Sequence, residues 1–327
     1  MKDRQGSKRR ECQHPKVYVT FRVSLIDKEL LMITARNLMK NFDNFTALAD
    51  VSFEFEDGEI FGIIGHNGAG KTTLLKIISG LITPTSGELY VNDIDVVKNP
   101  VALKETLGYL PEESRLYETM TAENYLAFFG EIYGLSVQEI QVRSTQLFAA
   151  LSLEPDGKKI GEFSKGMKRK VAIARSLIHD PKFLVYDEAT SGLDPMTSRF
   201  IADYLRTLKK EGKTIVLSAH NLYQVEAVCD KVMILKRGKM VAFGNMSQLR
   251  DQFGTLTYTI FFSIDDPGKL IGHSKTYRKE EGFYICDAEN MDELNASTGL
   301  IAEAGGKVEK IESRYPSLEE MLVKIGK

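Results

Sequence analysis

A chain of 327 residues that is 43% apolar and 27% charged can bury one large or two modest cores, which excludes a disordered polymer as the default reading. The net charge of −2 gives no basic balance, so nucleic acid is not implied as a partner, and no apolar run approaches the roughly 20 residues that span a bilayer, so any membrane role comes through a partner. Three cysteines, Cys12, Cys229 and Cys286, lie far apart without metal-ligand spacing; that suits a reducing compartment, and Cys12 beside His14 makes no zinc site.

Residues 1–31 are basic and mixed in character, and lead into no secretory segment. Two alternatives stay open for them. One is a poorly ordered extension; the other is a start-site artefact with translation beginning at Met32, since Lys28-Glu29 can be encoded by a purine-rich ribosome-binding sequence. Met32 opens a strand pattern over residues 33–38. Residues 32–250 then alternate β-branched apolar runs with helical patterns: 59–65 (EIFGIIG) before KTTLLKIISGLI, KFLVYDEA, TIVLSAH before NLYQVEAVCD, and KVMILKRG. Continuous apolar strands predict an α/β fold with a sheet buried on both faces. Residues from about 112 to 180 read as a helical insertion, with Ser136 and Glu139 forming a capping box.

Past Arg250 the pattern changes. Leu256, Tyr258, Ile260, Phe262 and Ile264 alternate with more polar residues as in a half-buried strand, Phe283 and Ile285 begin another, and Ser317 with Glu320 caps a last short helix. Residues 251–327 are expected to form a small α+β domain.

Gly65-His66-Asn67-Gly68-Ala69-Gly70-Lys71-Thr72 fits the phosphate-binding loop pattern, with an apolar strand before it and a helix beginning at Thr73 after it. Glycines let backbone N–H groups converge on an anion, the helix N-terminus adds favourable potential, Lys71 is placed for the β- and γ-phosphates and the Thr72 hydroxyl for Mg²⁺. The strand at 183–186 ends in Asp187-Glu188, at the sheet edge where open α/β folds bind ligands. Asp187 is therefore placed to hold Mg²⁺ through a water, and Glu188 to orient an attacking water.

With FSKGM at 163–167, KFLVYDEATSGLDP following it and LSAHN beyond, residues 32–250 resemble the ATP-binding subunit of ABC transporters. The resemblance implies a P-loop NTPase fold with an antiparallel β N-terminal part and a helical insertion, and ATP with Mg²⁺ as the cofactors. It implies Phe42 as the adenine-stacking aromatic, Asp194 as a residue that helps position the opposing P-loop, and His220 as a switch histidine reading the γ-phosphate beside Glu188. Glu112 stands where the family usually has glutamine, in a loop that senses Mg²⁺ and contacts the membrane subunit; a carboxylate keeps the oxygen and loses the amide donor. Ser164 and Gly166 keep the signature loop, which in the family acts on the nucleotide of the other subunit. Lys165 replaces a glycine and Met167 an amide, while Lys168, Arg169 and Lys170 read as a solvated basic face.

The wording SKGMK, the PEE loop and the tail resemble prokaryotic export-type subunits for drugs, sodium or polysaccharides. The implied partners are a second copy or a homologous ATPase subunit and a membrane-spanning permease, with the chain on the cytoplasmic face of the membrane. The competing reading is a soluble ABC-type ATPase acting as a resistance or immunity factor or as a macromolecule-remodelling switch.

Overall fold

Side-chain alternation decides how the strands are layered. The computed structural model describes residues 33–219, 221–254, 256–270, 277–280 and 282–326, so the expectations for residues 1–31 and for His220 lie outside the described residues. In chain order the elements are β1 (Ile33–Phe42), β2 (Phe45–Phe55), β3 (Ile60–Ile64), α1 (Lys71–Ile78), β4 (Ser86–Val91), β5 (Ile94–Asp95), α2 (Pro100–Thr106) and β6 (Leu107–Leu110). There follow α3 (Ala122–Ile132), α4 (Val137–Ala150), α5 (Lys165–Leu177), β7 (Phe183–Tyr186), α6 (Pro195–Lys210), β8 (Thr214–Ser218), α7 (Leu222–Val228), β9 (Lys231–Lys236), β10 (Lys239–Gly244) and α8 (Met246–Phe253). The tail adds β11 (Thr257–Ser263), β12 (Arg278–Glu280), β13 (Phe283–Ala288), α9 (Met291–Glu303), β14 (Lys307–Arg314) and α10 (Leu318–Gly326).

The central sheet runs β10-β9-β3-β8-β7-β6, parallel except for the β9–β10 hairpin. Alternate residues of each inner strand go to opposite cores. Phe61, Ile63, Val185, Val216 and Met233 meet α1 and the antiparallel sheet β2-β1-β4-β5, whereas Ile60, Ile64, Leu184, Ile215 and Val232 meet the core that holds α3, α5 and α6. Each such side chain contributes roughly 1.5–3 kcal/mol by leaving water. The rings of Phe55 and Phe61, stacked 4.7 Å apart, join the two sheets.

The helical insertion is built from local caps. Ser136 Oγ accepts the Glu139 N–H at 3.3 Å while Glu139 Oε2 accepts the Ser136 N–H at 2.7 Å, and Thr121 caps α3. At the far end of α5 the Arg143 guanidinium donates to the last carbonyls, those of Leu177 and Ile178.

In the tail, β11 pairs antiparallel with both β13 and β14, so those two run parallel and α9 crosses between them over β11, a split βαβ arrangement. Tyr258, Ile260 and Phe262 pack on Leu294 and Ile301 of α9. The last helix departs from the expected small domain. Ser317 and Glu320 form the predicted cap, but Leu318, Met321 and Leu322 are buried in the larger α/β core, where α10 touches α7 and α8. The physical reason is that α9 already covers the apolar face of the small sheet, so a second amphipathic helix needs another groove.

Candidate nucleotide site

Between β8 and β9, both parallel to it, the buried strand β3 delivers Gly65 to the C-terminal edge of the sheet. Gly65 has φ 155°, and a Cβ there would collide with the Leu235 carbonyl oxygen; at Gly70, φ 108°, a Cβ would stand 2.7 Å from the Ala47 carbonyl oxygen. Glycine is needed at both ends of the loop. Inside it, the Ala69 N–H donates to the His66 carbonyl at 3.0 Å, and Lys71 Nζ donates to the carbonyls of Gly65 at 2.8 Å and His66 at 3.4 Å. Gly70 caps α1 without a side chain, so the first-turn N–H groups of Lys71, Thr72 and Thr73 have no intrahelical acceptor. Residues 67–73 line a cleft of about 310 Å³, faced by Phe45, Ala47, Glu112 and Glu188. Gly65 and His66 do not line this cleft.

Two carboxylates leave the end of β7 in different directions. The Asp187 N–H donates to the Leu110 carbonyl at 2.7 Å, continuing the pairing of β7 with β6, and its side chain stays buried. Glu188 turns with φ 51°, in the left-handed region, which costs a non-glycine residue about 1–2 kcal/mol. The reversal brings Glu188 to the cleft wall. One hydroxyl anchors both residues: Ser218 Oγ, at the end of the neighbouring β8, donates to Asp187 Oδ1 at 2.5 Å and accepts the Glu188 N–H at 3.0 Å. Sequence reasoning missed Ser218; the available signal was a serine closing an otherwise apolar strand. Burial pulls the Lys71 ammonium below the ordinary lysine value, and the charges of Glu188, Asp187 and Glu112 oppose that pull.

Ser164 caps α5, its Oγ accepting the Met167 N–H at 3.2 Å, and Gly166 packs against Thr197. Met167 packs partly on the core where the family has an amide. The basic run has four separate fates, which corrects the single solvated face expected for residues 168–170. Lys165 reaches Gly192, Lys168 pairs with Glu118 at 2.8 Å, and Lys170 donates to the Ser152 carbonyl and lies 4.5 Å from the Phe200 ring. Arg169 is buried, 7% exposed, with its guanidinium among the carbonyls of two loops. Its i+4 spacing from Lys165 conceals this, because α5 turns that position toward the loops that follow β6 and β7.

Phe42 and Phe45 are register partners at the tip of the β1–β2 hairpin. Phe45, which sequence reasoning passed over, lies on the cleft wall, while Phe42 is half exposed with Lys40 Nζ 4.8 Å from its ring. Asp194 caps α6, its Oδ1 accepting the Thr197 N–H at 2.9 Å, and these bonds hold its carboxyl below the usual range. Ser164, Gly166 and Asp194 do not line the cleft of residues 67–73.

Residues 48–191 match the family model described as ABC transporter. The chain is 40% identical over 224 residues to the ABC transporter ATP-binding protein NatA of Bacillus subtilis, a match covering 67% of this chain and 91% of that one. The chain belongs to the ABC transporter ATP-binding proteins. It is also 31% identical over 304 residues to the Nod factor export ATP-binding protein I of a Rhizobium species, covering 90% of this chain and 96% of that one, so the ABC likeness extends into the residues that follow α8. Among solved structures, the dimeric post-hydrolysis state of an ATP-binding cassette bound to ADP and Pi superposes with a TM-score of 0.61 and 25% identity, over 65% of this chain and 98% of that one. As an ABC ATPase the chain binds ATP and hydrolyses it. No described helix of this ABC protein is long and apolar enough to cross a membrane.

Proposed function

We propose that the chain is the ATP-hydrolysing subunit of an export-type transporter, paired with a second copy or a homologous ATPase subunit and docked on a membrane-spanning permease at the cytoplasmic face of the membrane. One observation carries the pairing: the cleft lined by residues 67–73 includes neither Ser164 nor Gly166, so in this reading their nucleotide is the one held by the other subunit. The dimeric relative with ADP and Pi supports it, and the relative named for Nod factor export supports the direction of transport. Residues 32–250 are the ATPase domain, and residues 251–327 a C-terminal domain tied back by α10.

In this reading the N–H groups of residues 67–73 and Lys71 Nζ hold the phosphates of ATP, and an aromatic at the hairpin tip, Phe42 with Phe45 beside it, takes the adenine. Asp194 helps to position the opposing loop. His220 reads the γ-phosphate. Thr72, Asp187 and Glu112 are hard oxygen donors of the kind that suits Mg²⁺, and the carboxylates of Asp187, Glu112 and Glu188 beside a triphosphate are repulsive without a cation. Among the described residues no group of three or more His, Cys, Asp or Glu side chains forms a metal site by itself. Bound beside the triphosphate, Mg²⁺ would neutralise charge between the β- and γ-phosphates. Glu188, turned into the cleft, orients the water for in-line attack.

Glu188→Gln tests this. The variant should lose ATP turnover by about a hundredfold or more, retain ATP and run as a dimer on gel filtration with MgATP; a variant that hydrolyses normally removes Glu188 from its role. Co-purification with a hydrophobic subunit from solubilised membranes tests the transport half, and an active chain recovered from cells without one turns the reading toward a soluble ATPase.

A further inference from the structure

Arg169 lies on the helix that Ser164 caps, yet none of its hydrogen-bond acceptors belongs to that helix. Nε donates to the Ala189 carbonyl at 2.9 Å, Nη2 to those of Asp187 at 2.9 Å and Glu188 at 2.8 Å, and Nη1 to those of Pro111 at 2.7 Å and Glu112 at 3.0 Å and to Ser114 Oγ at 3.3 Å. Five of the six acceptors are main-chain carbonyls, drawn from the loop after β6 and the loop after β7. These loops carry Glu112, Asp187 and Glu188. Among the described residues no carboxylate oxygen accepts from this guanidinium, and a buried cation held only by neutral acceptors is an expensive way to fill space that a packed apolar side chain would fill as well or better for stability. What the planar fork adds is geometry: a single rigid group sets two loops at fixed spacing, which the three donors of a lysine on a flexible stem do not reproduce. Burial draws the guanidinium down only to about 10, so it stays cationic at neutral pH.

We propose that Arg169 is a positioning residue of the hydrolytic reaction. It locks Glu112 and Glu188 to each other and to the helix of Ser164, and so couples the nucleotide in this chain's own loop to the one Ser164 reaches on the second subunit. The inference rests on the roles proposed for Glu188 and Ser164.

The test uses the full chain with Arg169→Lys, Arg169→Gln and Arg169→Met, each checked for folding by thermal melt, for affinity toward a fluorescent ATP analogue, and for kcat and KM. The Lys and Gln variants should fold, bind the analogue within about threefold of the parent, and lose kcat tenfold or more with KM little changed. Adding Ser164→Ala to either should lower kcat by less than it does in the parent, because both changes cut the same link. A kcat per folded molecule within twofold of the parent, full additivity with Ser164→Ala, or failure of all three variants to fold would overturn the proposal; in the last case the arginine serves the fold. Glu188→Gln run alongside separates the two levels, since normal hydrolysis by that variant sinks the functional reading whatever Arg169 does.

Discussion

Ser218→Ala removes one hydroxyl from beneath the two carboxylates that follow β7. In the parent that oxygen donates to the buried Asp187 and accepts the N–H of the buried Glu188. A hydrogen bond to a charged group contributes about 1.5–3 kcal/mol, and an orphaned buried N–H costs about 1–3 kcal/mol when nothing replaces its partner. Partial relaxation brings the sum to about 2–4 kcal/mol. Ser144 offers an internal control: it is also buried, but its Oγ has no hydrogen-bond partner among the described residues, so Ser144→Ala should cost less than about 0.5 kcal/mol or stabilise. Urea unfolding of both variants gives the two numbers from midpoint shifts at constant slope. Catalysis should separate them too. Glu188 holds a left-handed conformation with that hydrogen bond as a support, so Ser218→Ala should lower kcat by about ten- to a hundredfold, while ATP affinity, which in the proposed reading rests on Lys71 and the loop N–H groups, changes less than about threefold. Equal stability losses in the two serine variants, with kcat unchanged, would refute the reasoning.

Acid stability carries a second signature. The His179 imidazole stacks on Tyr133 at 3.7 Å, its Nε2 lies 3.2 Å from the Leu107 carbonyl, and burial pulls its pKa down to about 4. The unfolded chain takes up that proton near 6.5, so this contribution to stability is complete above about 6.5 and is lost as pH falls toward about 4. After discounting for partial exposure, His179→Gln should flatten the fall in urea stability between pH 7 and pH 5 by about 1–2 kcal/mol, and an unchanged slope would remove the histidine from the account. Leu318→Ala, at a fully buried position of α10, should cost about 2–4 kcal/mol and speed proteolytic release of the tail, as seen by melting and timed digestion; a silent substitution would show that α10 does not hold the core.

How much could be read without coordinates depended on whether a residue's task was local. The loop of residues 65–72 is defined by consecutive residues whose glycines answer to their own backbone, so its strand, turn and helix were readable in place. The buried sheet was readable because runs such as Phe183–Tyr186 are apolar on both faces. Arg169 was misread because charge in a helix signals solvent on average, and its acceptors come from loops 55 and more positions away as well as from 18 to 20 positions away. Ser218 and Phe45 escaped for a related reason: a lone hydroxyl or ring acquires its role from whichever neighbour the sheet register sets beside it. The groove that receives α10 is formed by α7 and α8, and the pattern of residues 318–322 shows only that a groove is required.

The return of α10 to the larger core gives the small sheet a two-point mounting. The chain enters it from α8, whose Leu249 is buried in that core, and leaves it through α10, whose Leu318 and Met321 are buried in the same core. A sheet held this way is anchored where the chain enters it and where the chain leaves it, and is not hung on a single tether. Shortening the protein at the end of α8 would uncover an apolar trough on the ATPase, whereas replacing β11 through β14 with a flexible bridge that keeps α10 would leave the trough filled and isolate what the small sheet itself contributes.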